Sequence, residues 1–116
     1  MNARELLGST VRDRHGCALG TVEEIVVDRL TGRVSFAVVA PAHAQEPDSD
    51  LMPVPWTALA ATNDGEGLCL QAGARRIADA PRIDRDDLDD LERHDVGVEV
   101  FSYYGVQPPW EGTRRA

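Results

Sequence analysis

Few side chains in this sequence of 116 residues are of a type that does chemistry, and they are scattered. Ser9, Ser35, Ser49 and Ser102 stand beside no candidate base, and His15, His43 and His94 fall in three separate polar stretches. Nucleophilic catalysis needs a hydroxyl or thiol next to a base that a third group orients, and the sequence spells out no such set. The motifs GxSxG, HExxH, GxxxxGK[ST] and GxGxxG do not occur. Cys17 and Cys69 lie far apart and outside any CxxC pattern, so they are read as ordinary small, half-buried thiols rather than as a disulfide or zinc ligands.

Carboxylates are the one abundant reactive type. Seven of the twenty lie between Asp84 and Asp95, against only Arg85 and Arg93 in the same stretch. A calcium loop needs carboxylates at alternating positions, a glycine at the sixth place and a bidentate Glu at the twelfth. Glu92 is off that spacing and no glycine lies inside, so no metal and no cofactor is expected. Pairs such as Asp86-Asp87 read as a solvated helix face, where general acid catalysis gains little. No catalytic residue is assigned, and the chain is expected not to be an enzyme.

A different chemistry, that of contact, is concentrated at the end of the chain. Val96, Val100, Tyr103 and Tyr104 recur at helical spacing, and Pro108, Pro109 and Trp110 follow Gly105. An aromatic, proline-stiffened end is costly to leave in water and is good anchor material for a partner. Val100, Tyr103, Tyr104, Pro108 and Trp110 are the expected interaction surface, packing either on their own chain or on a partner subunit.

Over the whole sequence, 42% hydrophobic and 28% charged residues describe a globular chain of one domain. Aromatics make up only 5%, so the core has modest apolar area and a homodimer would help to stabilise it. A net charge of −8 disfavours nucleic acid and anionic membrane as main partners, since both require a basic patch. All twelve basic residues are arginine. No run of about 18 apolar residues exists and MNARELLGS does not read as a signal peptide, so a cytoplasmic location is expected.

The elements that would position these residues are mostly strands. Arg4 to Gly8 reads as a helical turn, and Ser9–Asp13 as a first strand with Val11 inward. Arg14 to Cys17 is a turn in which Gly16 suits positive φ. Gly20–Asp28 is the second strand, and strict alternation cannot put both Val22 and Ile25 on one face. A β-bulge near Glu23-Glu24 repairs that parity. Asp28 to Gly32 is a tight turn, and Arg33–Val39 is a third strand with Val34, Phe36 and Val38 on one face and Ser35, Ala37 and Val39 on the other. The polar stretch 41–50 is a loop, and 51–59 is a fourth strand whose Pro53 and Pro55 must lie at an edge or bulge. Trp56 is expected to plug one end of the barrel. Residues 63–67 form a turn, 68–70 a fifth strand and 74–80 a short helix stopped by Pro81. Asp84 or Asp86 is expected to cap a further helix carrying Leu88 and Leu91 on one side.

Leu7-Gly8 before a strand, the turn Asp13-Arg14-His15-Gly16, Leu19 to Glu23 opening the next strand and the hairpin Asp28 to Val34 together resemble the PRC-barrel family, as does Val54-Pro55-Trp56 further on. That family takes its name from the cytoplasmic domain of the photosynthetic reaction-centre H subunit and includes small stand-alone bacterial proteins. The resemblance marks Gly16, Gly20, Asp28, Gly32, Pro55 and Trp56 as structural signature positions. It implies a mainly-β fold, a small antiparallel β-barrel over residues 1–83, with a helical and aromatic extension over 84–116. It also implies docking to protein surfaces; with no catalytic set and a modest core, the chain is expected to be a non-catalytic adaptor module that self-associates. Two alternatives stand beside it: a small-ligand binder or enzyme using the barrel mouth near Trp56, and a ribosome or RNA-processing accessory, against which the acidity argues.

Overall fold

The computed structural model describes residues 3–42, 50–62, 67–71 and 80–106. A lead-in helix, α1 (Ala3–Leu6), precedes strands β1 (Thr10–Arg12), β2 (Ala18–Val27), β3 (Val34–Pro41) and β4 (Met52–Pro55). A 3-10 turn at Trp56–Ala58 leads into β5 (Leu59–Ala61), and β6 (Gly67–Leu70) completes the strands. A 3-10 segment, Arg85–Glu92, and helix α2 (His94–Tyr104) follow. The strands make one sheet in the order β4-β3-β2-β1-β6-β5, curled into a half-barrel, so the chain is mainly β with a C-terminal helix, as expected. The expected turn at 63–66 and all of the expected short helix except Ala80 lie outside the described residues.

Local chemistry explains the hairpins. Asp13 accepts the N–H groups of Cys17 (2.9 Å) and His15 (2.8 Å), and the Cys17 bond above all holds its carboxyl below the usual carboxylate range. In the next turn Asp28 Oδ2 accepts from the Thr31 hydroxyl at 2.8 Å and from its N–H at 3.2 Å. Gly32 there has a φ of 71°, a conformation in which a Cβ would be strained. The β2–β3 register shifts between Val22 and Glu24, where the bulge was expected. Val22 therefore pairs with Val39 and Ile25 with Ala37, which places Val22 and Ile25 on the same face.

Three features depart from the expectation. The pairing is antiparallel except between β1 and β6, which run parallel with Val11 opposite Leu68. These two strands are distant in sequence, so no hairpin dictates their direction. The expected fourth strand is broken at Trp56 into β4 and β5, which occupy opposite edges of the sheet, so the three-residue 3-10 turn carries the chain from one edge to the other. The helix expected from Asp84 is a 3-10 segment, and Asp84 at its N-cap makes no side-chain capping hydrogen bond.

The prolines of β4 are placed as the edge requires. Leu51 exchanges both backbone hydrogen bonds with Ile83, at 3.1 and 2.8 Å, and so points away from β3. Alternation along the strand turns Pro53 and Pro55 to that same outer side, where the N–H they lack would otherwise invite another strand.

Both faces of β3 are buried. Ser35, Ala37 and Val39 share the face of Val22 and Ile25, the inside of the half-barrel, while Phe36 and Val38 share the opposite face with Val26, Pro53 and Pro55. The second face is covered by α2, which packs on β4 and sets Phe101 against Phe36 with ring centroids 4.8 Å apart. Leu91, Val100, Phe101 and Tyr104 consequently belong to the same core as Val11, Val22 and Leu68. The helical stripe expected from Val96, Val100, Tyr103 and Tyr104 is corrected to Val100, Phe101 and Tyr104. Phe101, only 1% exposed, is its centre, because it stands three residues before Tyr104 on the face that meets the sheet.

Close backbone approach makes Gly20 the least replaceable residue of β2. A Cβ there would collide with the Ala40 carbonyl oxygen of β3, whereas one at Gly32 meets nothing and costs only backbone strain. Gly20→Ala should therefore lower unfolding stability by about 1–3 kcal/mol or more and exceed Gly32→Ala, at about 1–2 kcal/mol, in urea titrations of both variants.

Candidate functional site

The described part of the aromatic end packs on its own chain, one of the two placements expected of it. Val100 is buried and Tyr104 is 8% exposed, both within the chain's own core; Tyr103 is half-buried and meets Tyr104 edge-on at 5.5 Å. An aromatic helix beside an uncovered sheet face gains more by burial in its own chain than by waiting for a partner. Pro108 and Trp110 lie outside the described residues, as does His43.

Tyr104 is the most perturbed group of this region. Burial pushes its phenol up to about 12, with Arg82 pulling it down and Tyr103 adding a little to the rise. Its hydroxyl meets no hydrogen-bonding partner among the described residues. A buried hydroxyl without a partner costs stability rather than adding it.

The structural signature positions hold up the scaffold. Gly16 and Gly32 sit in the two hairpin turns, Gly20 at the β2–β3 contact, Asp28 in the second turn, and Pro55 on the β4 edge. Trp56 is half-buried against the core in the 3-10 turn between the two sheet edges. Cys69 is half-buried and its thiol lies 3.6 Å from the Asp13 carbonyl oxygen; Cys17, expected to be half-buried, is exposed because the turn carries it outward. Among the described residues no three His, Cys, Asp or Glu side chains are grouped to hold a metal ion, and no helix is long and apolar enough to cross a membrane.

A groove of about 530 Å³ opens elsewhere, between β2 and the Arg85–Glu92 segment. The strand supplies Glu24 to Val27 and the adjoining hairpin supplies Arg29; the facing wall is Arg85, Leu88 and Asp89. Arg85 reaches across to Glu23 of β2 at 3.2 Å, both side chains 39% exposed, which ties the wall to the strand at a worth of about 0–1 kcal/mol. At one end of the groove the apolar surface is open: Val27 is 46% exposed and Leu30, at the tip of the hairpin, 79%. Sequence reasoning assigned nothing here. The available signal was Leu30, an apolar residue in the middle of a turn otherwise built from Asp, Arg, Thr and Gly.

A small curled β-barrel, sealed on its outer face by its own C-terminal helix, is the class that the strand order and the core define. The chain belongs to the PRC-barrel domain family, whose match spans residues 1–70. That span takes in all six strands and stops before the 3-10 segment and α2, so one wall of the groove comes from outside the family match. No curated protein matches the chain.

The raised Tyr104 phenol has a pH consequence with a definite sign. Below pH 10 the phenol is neutral in both folded and unfolded chains; between 10 and about 12 only the unfolded chain ionises, so stability falls as pH rises through that window. Tyr104→Phe should be at least as stable as the parent and should lose that part of the alkaline slope. Urea unfolding at a series of alkaline pH values checks both.

Proposed function

We propose that this chain is a non-catalytic interaction module that docks to other proteins. The observation that carries the reading is the open apolar rim formed by Val27 and Leu30 beside the groove, on a hairpin whose turn is held rigid by Asp28. Large apolar side chains left exposed next to a concave surface mark contact sites more often than isolated exposure does. Family membership supports the same reading, since PRC-barrel domains are generally non-catalytic.

Self-association belongs to the proposal. With Val100 and Tyr104 spent on the core, it falls to Tyr103, Pro108 and Trp110. The free thiols of Cys17 and Cys69 suit the reducing cytoplasm. Trp56, half-buried against the core, supports a plug rather than a ligand platform at the barrel mouth.

Affinity capture from native lysate with the whole chain should retain specific partners that the double variant Val27→Asp, Leu30→Asp loses while keeping the parent's unfolding midpoint. Light scattering at micromolar concentration should give a dimer mass that falls to a monomer's in Tyr103→Ala, Trp110→Ala. Identical partner sets for parent and rim variant would defeat the docking reading, and a monomeric parent would defeat self-association.

A further inference from the structure

We infer that the groove between β2 and the Arg85–Glu92 segment takes a cationic, apolar peptide segment of a partner protein. This deepens the interaction-module reading, on which it rests, by stating the partner's chemistry.

The groove's apolar and charged groups ask for different things. Val26 and Leu88 are half-buried, and Val27 is nearly half exposed, so this apolar surface would gain from being covered by water-excluding side chains. A volume of about 530 Å³ lies within the range of sites that enclose a ligand's side groups, roughly 300–1,000 Å³. The charges of the lining balance, Glu24 and Asp89 against Arg29 and Arg85, and the negative excess comes from the wall segment, whose Asp86, Asp87 and Asp90 are exposed, together with Asp84 at its N-cap. Arg85 is already engaged with Glu23 at 3.2 Å, so its charge is offset locally.

An excess of carboxylates around an apolar floor discriminates among occupants. Nucleic acid and anionic lipid surfaces are repelled by it, and an acidic peptide would bring like charges together unfavourably. A segment with one or two Leu-like anchors flanked by Lys or Arg satisfies both parts: the anchors fill the floor beside Val27 and Leu88, and the cations meet Glu24 and Asp89. Such charges chiefly raise the association rate and fix orientation, while the buried anchors set the lifetime of the complex.

The test uses the isotope-labelled full chain and two synthetic peptides of equal length and charge, one of Leu and Arg, the other of Ser and Arg. The Leu-Arg peptide should shift the amide signals of Ile25, Val27, Leu88 and Asp89 and bind more tightly than the Ser-Arg peptide. Val27→Asp and Asp89→Arg, both at exposed positions, should each weaken it by roughly fivefold without moving the unfolding midpoint. Equal binding of the two peptides, shifts confined to other surfaces, unaltered affinity in both variants, or no binding would each overturn the inference. Should lysate partners still depend on Val27 and Leu30 in that case, the interaction-module reading survives and only the cationic occupant falls.

Discussion

The contact between Phe36 and Phe101 is the constraint on which the rest of this structure depends. Phe36 stands on the outer face of the central part of β3, where a half-barrel would otherwise show water a row of large apolar side chains. Tilted ring pairs at such separations add about 0.5–1.5 kcal/mol beyond the area they bury. The larger effect is architectural: with Phe101 seated there, the helical extension becomes a second layer, and both faces of one sheet are packed into a single core. Phe36, Phe101 and Tyr104, the buried aromatics among the described residues, thus lie in the core that the helix closes.

Several other features follow from that arrangement. Because α2 lies over β4, its strand needs apolar residues on both faces, and Met52 to Pro55 are all buried. Proline is tolerated in such a strand only where its missing N–H is not needed, which is the outer side that Leu51 and Ile83 define. The 3-10 segment must then run from Ile83 at the β4 edge back past β2, and its passage across β2 creates the groove. An acidic, largely exposed segment at that place surrounds the groove with carboxylates. The groove is therefore a by-product of how the extension is routed, and it joins residues of the barrel to residues beyond it.

Much of the barrel was legible in the sequence because its signals are local. A parity conflict between Val22 and Ile25 demands a bulge; an Asp followed three residues later by Thr and then Gly demands a tight turn; two prolines in a β run demand an edge. Each of these rests on residues a few positions apart. What was not legible depends on distant pairing. Nothing near Thr10 to Arg12 announces that β6 will lie parallel to it, and nothing in Leu51 to Leu59 shows that the chain changes edges at Trp56. The tail's two placements stayed open for a related reason: its aromatics suit a partner as well as the chain's own sheet, and only the outward face of Phe36 and Val38, once the strands are paired, requires the cover. Reading β3 as apolar on both faces was the clue that a helix would be spent on it. The groove was the least legible of all, since Val27 and Leu88 lie far apart in sequence and become neighbours only through the route of the extension.

The helical extension is an integral layer of the fold and not an appendage. Equilibrium unfolding of Phe101→Ala in urea is the decisive measurement. A single cooperative transition is expected, with stability lowered by about 3–5 kcal/mol, because barrel and helix share one core. A variant whose barrel unfolds within about 0.5 kcal/mol of the parent would contradict it, and would mean that the barrel stands without its cover.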